Sequence, residues 1–111
     1  MADFLIPGWP APANVRTLAT TRAHGNLADH ADYEKSAVAA RRAELRRHLP
    51  AEPVWLSQVH GTCCVDAETA GRGVAADAAV AHSPGVVCAV HTADCLPVLL
   101  CDEAGGAVGA V

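Results

Sequence analysis

Val86-Val87-Cys88-Ala89-Val90-His91-Thr92-Ala93-Asp94-Cys95-Leu96-Pro97-Val98-Leu99-Leu100-Cys101 holds two short apolar runs around a polar interruption. Runs of this length, rich in valine and leucine and bounded by polar residues, predict strands rather than helices. Pro97 cannot donate to a ladder, so the second run is confined to a sheet edge, a strand start or a bulge. Asp102 to Gly106 then reads as a hairpin turn, and Ala107 to Val111 as the start of a returning strand. That last strand ends without a polar tail, which leads to the expectation of a fragment.

Working outward, Val54 to His60 alternates, with Leu56, Gln58 and His60 on one side and Trp55, Ser57 and Val59 on the other. Gly71 to Gly73 is a turn, Val15 to Thr20 has strand composition, and His24 to Asp32 is a polar loop. Pro7 to Pro12 is an extended lead-in that Trp9 can anchor. Between about Tyr33 and Leu49 the composition turns to helix formers. Asp32 is placed to cap the start, Arg46, Arg47 and His48 complement the C-terminal dipole, and Pro50 stops the helix. Its apolar stripe is thin, Val38, Leu45 and Leu49 interrupted by Arg41 and Arg42, so it should lie over a sheet with one narrow face inward. The predicted class is α+β, with mixed and antiparallel sheet layers flanked by helices, in one domain spanning 1–111.

The composition is that of a folded globular chain, 51% hydrophobic and 18% charged. Much of the apolar fraction is alanine, and the aromatics are two Trp, one Tyr and one Phe, so the core should be small-grained. A net charge of −4 argues against nucleic acid as the main partner. The basic residues cluster at Lys35, Arg41, Arg42, Arg46 and Arg47, where a solvated helix face is the simplest reading and anion binding the sharper one. No run is long and apolar enough for a bilayer, no secretory leader is visible, and the odd, irregularly spaced cysteines favour reduced thiols. Cytoplasmic residence is the expectation.

Two residues stand out for chemistry. His60 closes a strand just before Gly61, with Gln58 on the same face able to offer an amide to a substrate or to a metal ligand. Cys95 sits in the polar interruption beside Asp94. An imidazole and a thiolate suit a transition metal. Each also has a plain structural reading, as a satisfied histidine or a small buried hydrophobe. His91 with Cys95 is a second possible pair. Cys88 and Cys101 fit a buried role, while Cys63 and Cys64 point to opposite faces and make a poor joint site. His24, His30, His48 and His82 lie in polar stretches and should be exposed. Asp77 is an isolated acid for which a turn contact is expected.

Several motifs carry a resemblance when taken together. They are Val54-Trp55-Leu56-Ser57-Gln58-Val59-His60-Gly61, Ala76-Asp77-Ala78, Ser83-Pro84-Gly85-Val86-Val87-Cys88-Ala89-Val90, and Thr92-Ala93-Asp94-Cys95-Leu96-Pro97-Val98-Leu99-Leu100. In this order they resemble the laccase-domain family, also called multicopper polyphenol oxidase-like or purine nucleoside phosphorylase, which includes the peptidoglycan editing factor. Ile6-Pro7-Gly8-Trp9-Pro10 and Thr20-Thr21-Arg22 resemble its opening. The likeness covers about the N-terminal half of a member.

The resemblance implies one zinc ion bound by His60, by Cys95 and by a second histidine of a His-Ala-Gly-Trp-Arg-Gly motif that residues 1–111 do not contain. Three protein ligands leave a fourth position for water or phosphate. It further implies purine nucleosides and phosphate as partners, through phosphorolysis of adenosine, inosine and methylthioadenosine and deamination of adenosine. Copper belongs to the family's name, but a multicopper centre needs many more His and Cys ligands. Departures from the family pattern are a shortened Arg22 to Ala28 segment, Ala40-Arg41 in place of Asn-Arg, and a histidine at position 91. No catalytic residue is assigned. Two rival readings are a Cys-His hydrolase, with His60 activating Cys95, and a non-catalytic interaction fragment.

Overall fold

The computed structural model describes residues 3–28 and 35–111. Its mixed α+β architecture combines one α-helix with a four-stranded mixed sheet among those residues. The helix α1 covers Lys35–Arg46, and the strands are β1, Cys64–Asp66; β2, Ala78–Ala81; β3, Leu99–Cys101; and β4, Val108–Ala110. The sheet order is β1-β2-β4-β3. β1 runs parallel to β2, with Asp66 opposite Val80, and β4 is antiparallel to both β2 and β3.

The predicted hairpin forms around Asp102. Its Oδ1 accepts the Gly106 and Ala107 amides at 2.6 and 3.3 Å, and the turn sets Leu100 opposite Gly109. Ahead of β3, Val98 and Val111 exchange backbone hydrogen bonds of 2.8 and 2.9 Å. β3 is an edge strand, so Pro97 lies just before an edge, where a missing donor costs nothing.

β2 was not expected, and β1 only as a strand through Cys63 and Cys64, without bounds. Both are short, β1 being Cys-Val-Asp and β2 Ala-Ala-Val-Ala, too weak a periodic signal to stand out, and their pairing depends on residues 67–77 bringing the chain back in register. Those residues do so without a helix. Gly73 and Ser57 amides donate to the Trp55 and Val74 carbonyls at 3.1 and 2.8 Å, so the return path is itself stitched to the segment carrying Trp55.

The core divides about that segment. Leu56 packs with Ala67, Ala76, Ala79 and Ala81, whereas Trp55 packs with Leu27 and Leu45. Neighbouring side chains pointing to opposite sides therefore serve two clusters, as the alternation predicts. Only single bridges form there, Val54 to Cys88 and Ser57 to Ala75, rather than the continuous strands expected at 54–60 and 86–91. The core is small-grained, with Val38 the largest fully buried side chain.

Asp32 and the helix start at Tyr33 fall outside the described residues. The rest of α1 differs from expectation in what it meets: Leu45 packs on Leu27 and Trp55 rather than over the four strands. Its arginines are not simply solvated. Arg42 Nε donates to the Leu27 carbonyl at 2.8 Å, with its guanidinium 4.2 Å from the Trp55 ring centroid, and Arg41 donates to the Asn26 carbonyl at 3.2 Å. The shortened 22–28 segment is thus held to the helix by charge-assisted bonds and a cation–π contact. No helix among the described residues is long and apolar enough to cross a membrane.

Candidate functional site

Two segments emerge from the body side by side. Val54 donates to the Val87 carbonyl at 3.0 Å, and the two chains run parallel. Further along, the Gln58 side chain grips the backbone of His91: Nε2 donates to its carbonyl at 2.9 Å and Oε1 accepts its amide at 2.6 Å. Beyond that tie both chains enter exposed loops, one carrying His60 and the other Cys95. Because the segments run in the same direction, the two loops leave from the same end.

The His60 loop has an internal support. Asp77, just before β2, turns its carboxylate into the turn Val59-His60-Gly61 and accepts all three backbone amides. Oδ1 takes Val59 at 3.1 Å and His60 at 2.9 Å, and Oδ2 takes Gly61 at 2.8 Å. Successive amides converging on one anion form a nest. Within it His60 adopts a φ of +58°, a left-handed conformation that costs a residue with a Cβ roughly 1–2 kcal/mol. The amide of Gly61, joined by those of His60 and Val59, holds the Asp77 carboxyl below its ordinary value. The expected turn contact is therefore a three-amide clamp on the loop of the candidate ligand.

Other expectations change. The Gln58 amide is committed to His91, so it does not face outward for a substrate. The His91 ring lies flat on the Trp55 indole, centroids 5.1 Å apart and planes within 8°, and is used in packing. His24 is half-buried rather than exposed: its ring stacks on Phe4 at 4.5 Å and its Nδ1 accepts the Thr21 amide at 2.8 Å. His48 is exposed and meets Phe4 edge-on at 5.1 Å. His30 lies outside the described residues. Cys88 is partly buried as expected, and burial, with the nearby Cys64, Asp66 and Glu68 charges, pushes its thiol up to about 11. It is an inert thiol at neutral pH.

A second donor set was not foreseen. Asp66 at the end of β1, Glu68 in the following turn and His82 after β2 bring one ligand atom each within 4.8 Å of one another. It is the one group of three such donors among the described residues, and neither His60 nor Cys95 belongs to it. Parallel pairing of β1 and β2 puts their C-terminal ends together, a juxtaposition with no signature in local spacing. Glu68 is already engaged, accepting the Ser83 hydroxyl and, at 2.9 Å, the His82 amide. Those two bonds, with the His82 charge, keep its carboxyl below the usual value.

A cleft of about 350 Å³ lies between Phe4, His24, Leu27, Arg41, Glu44 and His48, and it does not include His60 or Cys95. What fits a metal is the chemistry of the loop pair, an exposed imidazole on a braced turn and an exposed free thiol.

Residues 17–111 match the family model described as multi-copper polyphenol oxidoreductase laccase. A Pseudomonas aeruginosa protein named purine nucleoside phosphorylase is 44% identical over 119 residues, covering 99% of this chain and 49% of its own. An Escherichia coli K12 protein of the same name is 40% identical over 124 residues, covering 99% and 50%. A crystal structure of a Neisseria meningitidis protein superposes with a TM-score of 0.88 at 45% identity, over 98% of this chain and 49% of that one. The chain spans about half the length of the curated relatives it matches.

Proposed function

Because this chain belongs to the multi-copper polyphenol oxidoreductase laccase family, we propose that His60 and Cys95 are two protein ligands of a zinc ion in a purine nucleoside phosphorylase site. The observation that carries this reading is the shared exit of their loops, tied together by Gln58 and His91. The names of the relatives support the reaction class.

When bound, the zinc would supply Lewis-acid chemistry toward a phosphate or water oxygen. The chain's own part is positional. Asp77 braces the His60 turn, Gln58 sets the distance between the two segments, and Trp55 with Arg42 anchors the base of both. Adenosine, inosine and methylthioadenosine are the substrates this reading assigns, with adenosine deamination as a companion activity. Zinc takes precedence over a multicopper centre, which would need many more His and Cys ligands than this pair. The third histidine implied by the resemblance has no counterpart in residues 1–111. The 111-residue chain by itself should therefore hold zinc weakly and turn adenosine over slowly or not at all.

The test is elemental analysis after dialysis against micromolar zinc, paired with phosphate-dependent base release from adenosine. Less than one equivalent, lowered further by His60→Ala or Cys95→Ala, is expected. A full equivalent with steady turnover would overturn the weak-activity reading. Zinc retention indifferent to both substitutions would overturn the ligand assignment. Activity that resists chelators but is lost to iodoacetamide would point instead to a thiol hydrolase.

A further inference from the structure

We infer that Asp77 is a positioning residue for the metal ligand His60, acting through the backbone of the turn rather than through the imidazole. The inference rests on the proposed role of His60 and goes beyond it by assigning the group that sets its pose. Ordinarily a metal-bound histidine is oriented by a partner on its second ring nitrogen. Here the orienting contact goes to the main chain.

Four features combine. The carboxylate reaches the amides of three consecutive residues, and the ligand is the central one. That central residue is held at φ +58°, and it is the one non-glycine with positive φ among the described residues. A non-glycine backbone so placed is strained and relaxes once the anion is withdrawn. Asp77 itself is fixed, since its own amide donates to the Cys63 carbonyl at 3.1 Å and β2 begins at the next residue. The clamp therefore ties an exposed loop to the sheet. Finally, a Cβ at Gly61 would sit 3.5 Å from Asp77 Oδ2, so the carboxylate lies in close contact with the turn along its length.

An exposed histidine on an unsupported loop would spread over many orientations, and binding would then have to order the loop as well as the ring. With the turn held by the sheet, that ordering precedes the metal. Asp77→Asn replaces one acceptor oxygen by an amide group that meets the Gly61 N–H donor to donor. Asp77→Glu keeps the charge but moves the oxygens by one methylene. Both should loosen the turn.

The experiment is a zinc titration of the 111-residue chain followed by the His60 ring signals in NMR, with the amide signals of β2 reporting the fold. His82→Ala in the background removes the Asp66, Glu68 and His82 group as a competing site. In the unsubstituted ring environment zinc should shift the His60 signals saturably. Asp77→Asn and Asp77→Glu should weaken that response about 10- to 100-fold with the β2 signals unmoved. Equal affinity in a folded Asp77 variant overturns the positioning role. Should Asp77→Asn fail to fold, Asp77→Glu decides by the same criterion. A zinc response that persists in His60→Ala, or none at His60 at all, overturns the ligand reading and this inference with it. Those outcomes differ from the first, in which His60 still responds.

Discussion

Glu68 illustrates what a single exposed side chain can contribute. Its carboxylate receives the Ser83 hydroxyl and the His82 amide, and its folded value falls below the ordinary 4.5. A depressed acid stabilises the folded state at pH values above its unfolded value, and that contribution is lost as pH falls through the folded one. Above pH 5, Glu68→Gln should be less stable than the unsubstituted chain. Below 4.5 the margin should shrink as the carboxylate takes up its proton. Urea midpoints measured for both proteins from pH 7 to pH 3 check this, and a margin that grows in acid would contradict it. Asp77 was visible as an isolated acid and Glu68 drew no reading; the donors of both lie 14 to 18 residues away along the chain, so sequence spacing offered no way to pair them.

At the scale of elements, the hairpin of β3 and β4 was legible because its determinants are local: Pro97, the polar Asp102-Glu103 pair and the glycines that follow. Gly105 is the residue on which the turn depends, with φ +75° and its backbone carbonyl accepting the Asn14 side chain at 2.9 Å. An added Cβ would both strain that conformation and collide with the Asn14 amide. Gly105→Ala should therefore destabilise the chain by about 1–2 kcal/mol, read as a lower urea midpoint at unchanged m-value. A change below about 0.5 kcal/mol would show that the turn adapts freely. β2 escaped, and the bounds of β1 with it, because strands of three or four residues carry no periodic signature. The helix was recognised by composition, yet its partner was misjudged, since propensity says nothing about which surface a helix meets.

For the whole molecule the sheet is apolar on one face, and on the other it is apolar toward the β3 edge. One side is filled by Ala79, Ala81 and Ala110, all nearly inaccessible. On the other, Leu100 of the edge strand, Val98 and Leu96 in the segment leading into it, and Val111 beside Val98 are 55%, 41%, 85% and 46% exposed in that order. An antiparallel edge that faces water normally alternates apolar with polar residues. The 111-residue chain should accordingly self-associate as its concentration rises. The double substitution Leu96→Lys and Leu100→Lys should return sedimentation to the monomer while changing stability by no more than about 0.5 kcal/mol. Monomeric sedimentation of the unsubstituted chain at high concentration would rule this out.

The amino-acid sequence by itself determined the α+β class, the hairpin turn and the helix, and it pointed to His60 and Cys95 as candidates, because periodicity, turn chemistry and donor type are properties of residues close together in the chain. Only the tertiary structure decided that Asp77 braces His60, that Gln58 is spent on His91, and that Asp66, Glu68 and His82 converge. Each of these contacts joins segments more than a dozen residues apart. Their existence depends on the parallel register of β1 with β2 and of residue 54 with residue 88, which is set by the packing of small side chains rather than by any local pattern.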